Sequence, residues 1–121
     1  MTHHLITGKK GEELASRYLL SEGYKIRHRN WVFEKDELDI VAEKNNIVVF
    51  VEVKTRSYTA FGFPEDAVDK KKLRKMMRAV EAYLDEFQID NEIRIDVISV
   101  LIEDNVTKIN HFEDIYSGES N

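Results

Sequence analysis

The stretch Glu37-Leu38-Asp39-Ile40-Val41-Ala42-Glu43-Lys44-Asn45-Asn46-Ile47-Val48-Val49-Phe50-Val51-Glu52-Val53-Lys54-Thr55-Arg56 decides how the rest of the chain is read. Two apolar runs flank Lys44-Asn45-Asn46, and an Asn-Asn pair tolerates the positive φ of a tight turn. The stretch therefore predicts a hairpin with strands over 37–43 and 47–56. Alternation along the strands predicts Glu37 and Asp39 on one face, opposite Leu38, Ile40 and Ala42. On the second strand it groups Phe50, Glu52, Lys54 and Arg56 opposite Val49, Val51 and Val53. Paired strands lie about 5 Å apart, so Asp39 and Glu52 are expected to reach one cation.

Two carboxylates and an ammonium on an otherwise apolar strand cost free energy unless something compensates them. One compensation is structural: Glu52–Lys54 and Asp39–Arg56 form partly exposed ion pairs, each worth about 0–1 kcal/mol. The other is chemical. Hard carboxylate oxygens suit Mg²⁺ or Mn²⁺, and a neighbouring lysine orients a water or stabilises charge on an attacked phosphate. The residue types and spacing match a metal-dependent phosphodiesterase.

Working outward, a first helix is predicted over about 7–22, with Leu14, Tyr18, Ala15 and Leu19 as its apolar stripe and Gly23 as its stop. Residues 24–33 read as a strand with Arg27, His28 and Arg29 interleaved. After the hairpin, Phe61-Gly62-Phe63-Pro64 reads as a loop into a second helix. Leu73, Met76, Met77, Val80, Leu84 and Phe87 mark the buried face of that helix. Strands are expected over 93–102 and, at an edge, over 106–112. The order α-β-β-β-α-β-β predicts an α/β (α+β) fold in which helices flank a mixed sheet of about five strands. One domain over 1–121 is expected, its last few residues a disordered tail.

The composition is that of a globular chain, with 42% hydrophobic and 34% charged residues and no cysteine. Thiolate zinc sites and disulfides are thereby excluded. The run Ile47-Val48-Val49-Phe50-Val51 is too short to cross a bilayer, and residues 1–5 lack a signal-peptide pattern, so a soluble, cytoplasmic protein is expected. The net charge of −5 weighs against a nucleic-acid binder, which is usually basic. Local positive charge offsets this at Lys70, Lys71, Lys72, Arg74, Lys75 and Arg78.

Asp39 followed by Glu52-Val53-Lys54 resembles the Asp…Glu-x-Lys core of the restriction-endonuclease-like, or PD-(D/E)xK, superfamily. More narrowly, the chain resembles the bacterial YraN-like family, itself similar to archaeal Holliday-junction resolvases. The resemblance is carried by Gly8-Lys9-Lys10-Gly11-Glu12, Ala15, Tyr18-Leu19, Gly23-Tyr24, Arg29-Asn30, Glu37-Leu38-Asp39, Val51-Glu52-Val53-Lys54-x-Arg56, Lys72 and Arg94-x-Asp96-Val97. It implies a restriction-endonuclease-like core, with Asp39, Glu52 and the Val53 carbonyl as ligands of Mg²⁺ or Mn²⁺ and Lys54 as the catalytic lysine. It also implies that Glu12 joins the metal site and that the chain works as a homodimer on branched DNA. Where the family has glycine before Glu37, this chain has Asp36, which alters the approach to the strand but not Asp39, Glu52 or Lys54.

Further residues have a functional and a plain reading. Lys9, Lys10 and Gly11 fall in the expected first turn of the first helix. There a phosphate at the helix N-terminus would explain them, and so would a frayed, solvated helix start. Lys71, Arg74, Lys75 and Arg78 are expected on an outer ridge that tracks a phosphate backbone or is merely solvated. Lys72 sits nearer the core edge and is expected to point toward the active face. Arg56 suits bidentate contact with a phosphate. Trp31 and Phe33 stack on bases or, more simply, fill core. His3, His4, His28 and His111 lack metal-ligand spacing and receive no role. With the resemblance, these features predict a Mg²⁺-dependent DNA endonuclease, structure-selective or acting in DNA repair or recombination. The rival is a non-catalytic module binding DNA or protein, and a third reading is a hydrolase of another phosphodiester, such as a nucleotide or RNA.

Overall fold

The computed structural model describes residues 2–57, 70–103 and 106–115. Helix α1 spans Thr2–Ser21, and strands β1, β2 and β3 span Lys25–Phe33, Asp36–Lys44 and Ile47–Ser57. Helix α2 spans Lys70–Glu86, followed by β4 over Glu92–Glu103 and β5 over Val106–Phe112. The five strands form one mixed sheet in sequence order. Neighbours are antiparallel except β3 and β4, which run parallel in unbroken register from Ile47↔Glu92 to Ser57↔Ile102. The predicted order α-β-β-β-α-β-β and the five-stranded mixed sheet are what the chain forms. The expected Phe61–Pro64 loop and the C-terminal tail lie outside the described residues.

The sheet has a core on each face. Ala15 and Leu19 of α1 pack with Ile40, Ala42, Val49, Val51, Ile98 and Val100. Met76, Ala79, Val80 and Tyr83 of α2 pack with Leu38, Val41, Val48, Phe50 and Ile95 on the other face. The hairpin turn forms as expected, with φ of 54° at Asn45 and 67° at Asn46. Such a pair matches the twist of the flanking strands.

Three expectations need correction. The first helix begins at Thr2, so Lys9, Lys10 and Gly11 lie along its body and not at its N-terminus. A phosphate held by the helix N-terminus is therefore not what Lys9, Lys10 and Gly11 would serve. Gly11 has another reason to be glycine: a Cβ there would stand 1.8 Å from Thr55 Oγ1. Second, Leu38 does not share a face with Ile40 and Ala42 but joins the α2 core. The chain switches face between Arg29↔Ile40 and Trp31↔Leu38, and Asn30 in that step has φ 52°. That left-handed residue breaks the alternation of β1, and β2 changes face opposite it, at Asp39. Third, the sequence pattern omitted Tyr83 from the second helix's buried face. It is wholly buried, and its hydroxyl accepts from Arg27 Nε (3.0 Å) and shares a hydrogen bond with His28 Nδ1 (2.8 Å).

Candidate active site

Strand β2 leaves β3 at Asp39. The ladder between them ends at Ile40↔Val51, and one residue further the Asp39 carboxylate accepts the Val53 N–H at 2.9 Å. A side chain here does what a strand backbone would otherwise do. In a strand, the N–H and C=O of one residue point to the same neighbour. The Val53 carbonyl therefore projects to the Asp39 side, beyond the last paired residue of β2.

Because β3 keeps an unbroken register with β4, its alternation is regular. Val48 and Phe50 face α2, and Glu52, Lys54 and Arg56 follow on that same face, half-buried. Val49, Val51 and Val53 face α1. The predicted grouping of Glu52, Lys54 and Arg56 is what the strand presents. Glu52 does not pair with Lys54: its Oε2 lies 2.9 Å from Lys72 Nζ, in the first turn of α2.

Asp39 is the electrostatically unusual group. Burial first, then the charge of Glu52, push its carboxyl up to about 7; Glu12 and Glu37 add to the rise, while the Val53 N–H opposes it. Three acidic side chains thus bear on one half-buried carboxylate from three elements. Glu12 comes from the body of α1, where Asn30 Nδ2 donates to its Oε1 at 2.9 Å. Among the described residues no three His, Asp or Glu side chains gather closely enough to enclose an ion. The oxygens available beside Asp39 are those of Glu52 and the Val53 carbonyl on β3, while the charge of Glu12 reaches Asp39 from α1. Mg²⁺ is commonly held by one or two carboxylates and keeps several waters, so this hard-oxygen set fits such an ion.

The basic residues of α2 divide. Lys71 and Arg74 are exposed. Lys72 turns inward to Glu52, and Arg78 Nε lies 3.4 Å from Asp36 Oδ2. Lys75 joins Lys35, Asp36, Glu37, Glu52, Lys72 and Met76 around an open cleft of about 180 Å³. The expected outer ridge is thus partly folded over the acidic end of β2 and β3. Trp31 packs in the α2 core, edge-on to Tyr83, whereas Phe33 stays partly exposed and stacks parallel to it at 6.5 Å.

A second polar cluster on the α1 face went unread in the sequence. Asp96 is fully buried and accepts from Arg94 Nε (2.9 Å) and Nη2 (3.0 Å) and from the Asp114 N–H (2.9 Å). His111 Nε2 lies 2.7 Å from it, and His111 Nδ1 shares a hydrogen bond with the Tyr18 hydroxyl at 3.0 Å. Arg94 also donates to the Tyr24 hydroxyl at 2.7 Å. Burial pushes the Asp96 carboxyl up, but the bonds from His111, Arg94 and the Asp114 N–H outweigh it and hold it below the usual range. His111, given no role from spacing alone, thus ties β5 to β4 and α1. No separation in sequence signals that pairing.

No helix among the described residues is long and apolar enough to cross a membrane. The model of the uncharacterised protein family UPF0102 matches residues 11–100. A UPF0102 protein of Phocaeicola vulgatus is 47% identical over 116 residues, covering 96% of each chain. The UPF0102 protein FP2501 of Flavobacterium psychrophilum is 46% identical over 116 residues, covering 96% of this chain and 98% of that one. A UPF0102 protein of Syntrophomonas wolfei is 49% identical over 105 residues, covering 86% of this chain and 91% of that one. The matched span takes in Glu12, Asp39, Glu52, Lys54 and the basic face of α2, and the chain belongs to the UPF0102 family, the YraN-like group.

Proposed function

We propose that this protein is a Mg²⁺- or Mn²⁺-dependent DNA endonuclease of the PD-(D/E)xK type, selective for branched DNA. The observation that carries the reading is the fork at Asp39. There a half-buried carboxylate accepts the Val53 N–H beside the charge of Glu52, with its own pKa raised to about 7 by burial and like charge. A structural ion pair would lower that carboxyl; burial and like charge raise this one, a cost that a bound cation would relieve.

Asp39, Glu52 and the Val53 carbonyl would hold the ion. When bound, it supplies positive charge beside the scissile phosphate and lowers the pKa of a coordinated water. Lys54, two residues beyond Glu52 on the same face, would orient the attacking water and stabilise negative charge on the phosphate. Arg56 would grip the next phosphate along, its planar guanidinium matching two oxygens. Glu12, held by Asn30, adds negative charge on the α1 side. Lys71 and Arg74, exposed on α2, would follow the backbone further out. A homodimer would present two such sites to the arms of one junction.

The test is a cleavage panel of linear, single-stranded, flapped and four-way DNA with Mg²⁺ or Mn²⁺. Wild type runs beside Glu52→Ala and Lys54→Ala. Metal-dependent cutting lost in both variants supports the nuclease. A second reading, a non-catalytic module binding DNA or a protein, is favoured by the net charge of −5 and by Lys72 and Arg78 facing acids of the same chain. Binding without cutting on every substrate would select it.

A further inference from the structure

Lys72 stands where a cation would be needed. Its ammonium lies 2.9 Å from Glu52 Oε2, and the Glu52 side chain is 14% exposed against 45% for Lys72. The lysine therefore caps the carboxylate from the solvent side. Its place on α2 is unfavourable by itself. The helix opens Lys70-Lys71-Lys72 with no acidic residue in its first turn, although a helix N-terminus repels positive charge. Glu52, brought by β3, places a negative charge beside that turn. Lysine also carries a compact charge on a long flexible stem, and Lys72 is open enough to move without disturbing the α2 core.

Resting on the nuclease reading, we propose that Lys72 is a built-in competitor for Glu52. It satisfies and positions the carboxylate while no divalent ion is present, and it leaves when one binds. Its ammonium then turns away from Glu52 within the cleft that both already line with Lys35 and Lys75, where the positive charge meets the phosphate that accompanies the metal. Metal and phosphate are thereby coupled: the phosphate draws Lys72 off Glu52, and the vacated carboxylate holds the metal more tightly. Such coupling is reciprocal by thermodynamic necessity. Lys72 is a positioning residue in this scheme, because it acts on the site through Glu52.

The experiment is calorimetric titration of the full chain with Mn²⁺ alone, without DNA, on wild type and four variants. Lys72→Met removes the competitor, Lys72→Arg keeps it, Lys75→Met removes a charge from the same cleft, and Glu52→Gln disables the site. Lys72→Met is expected to tighten Mn²⁺ binding roughly two- to fivefold, the strength of an exposed ion pair. Lys72→Arg should leave affinity at or below wild type, Lys75→Met should change it far less, and Glu52→Gln should abolish binding. Unchanged or weaker binding in Lys72→Met overturns the proposal and leaves the metal site standing. Equal tightening in Lys75→Met also overturns it, since general electrostatics would then suffice. Absence of Mn²⁺ binding in both wild type and Lys72→Met removes the nuclease reading and this inference with it.

Discussion

The Asp39 carboxylate accepts the Val53 N–H at 2.9 Å, at the point where strand β2 no longer offers β3 a backbone partner. One side chain both closes the opened ladder and sits among Glu52, Glu12 and Glu37. The position thus has a structural duty, which needs only an acceptor oxygen, and an electrostatic cost, which needs a negative charge. The two can be separated by substitution.

Asp39→Asn keeps an acceptor for the Val53 N–H and removes the charge. The folded carboxyl titrates near 7 against an ordinary 3.8, so the metal-free fold binds its proton more tightly than the unfolded chain does. Stability from this group is therefore full below 3.8 and declines as pH rises to 7. Asp39→Asn is expected to stabilise the metal-free protein at pH 8 by on the order of 1–3 kcal/mol. The gain should vanish near pH 4. Urea denaturation at the two pH values checks it, and an equal effect at both would refute the assigned cause.

Gly11→Ala would ordinarily favour a helix by about 1 kcal/mol. Here the added methyl meets Thr55 Oγ1 at 1.8 Å and Thr55 Cβ at 2.9 Å. A net loss of about 1–3 kcal/mol is expected, as for other overpacked sites. Thr55→Ala in the same chain should recover part of it. A stabilised single variant would show that α1 moves away from β3 at no cost.

Asn30 holds φ 52° and binds Glu12, so two of its substitutions should diverge. Asn30→Ala strains the backbone and is expected to cost about 1–2 kcal/mol in thermal or chemical unfolding. Asn30→Gly accepts the conformation and loses only the amide. Its stability should stay within about 0.5 kcal/mol of wild type, with any effect confined to cleavage. If both variants are equally destabilised, the Glu12 contact is structural.

Asp96→Asn leaves Arg94 without its buried counter-charge and is expected to cost about 3–5 kcal/mol at pH 7. Because its folded carboxyl is held below the ordinary value, its contribution is full above 3.8 and is lost as pH falls below that point. The gap between variant and wild type should therefore narrow in acid. A gap independent of pH down to 2 would mean that shape, not charge, holds the cluster.

How much of this was legible depends on the range of each cause. The turn at Asn45-Asn46 and the strand over Val106–Phe112 follow from local residue types, and both stand where the pattern put them. Lys72 was also legible as pointing inward, because helical periodicity alone sets it at the core edge. The start of α1 was not. Gly8 and Gly11 look like breakers, and the need for Gly11 comes from Thr55, far away in sequence. The face switch at Asp39 defeats simple alternation. Its one sign is Asn30, a turn-favouring residue inside the partner strand β1, which only the pairing brings opposite it. The Asp96–His111 pair depends on the β4–β5 register, which no spacing rule encodes.

The strand order bears on how the site comes into being. β1, β2 and β3 form a meander of neighbours in sequence, and β4 with β5 forms a second hairpin. Such local pairings close in microseconds, whereas joining β3 to β4 must bring together segments separated by α2. Asp39 and Glu52 thus belong to the part of the chain that can assemble early. Lys72 arrives only with the crossover that completes the sheet. A partly folded chain in which α2 has not yet docked would display its two acids uncapped.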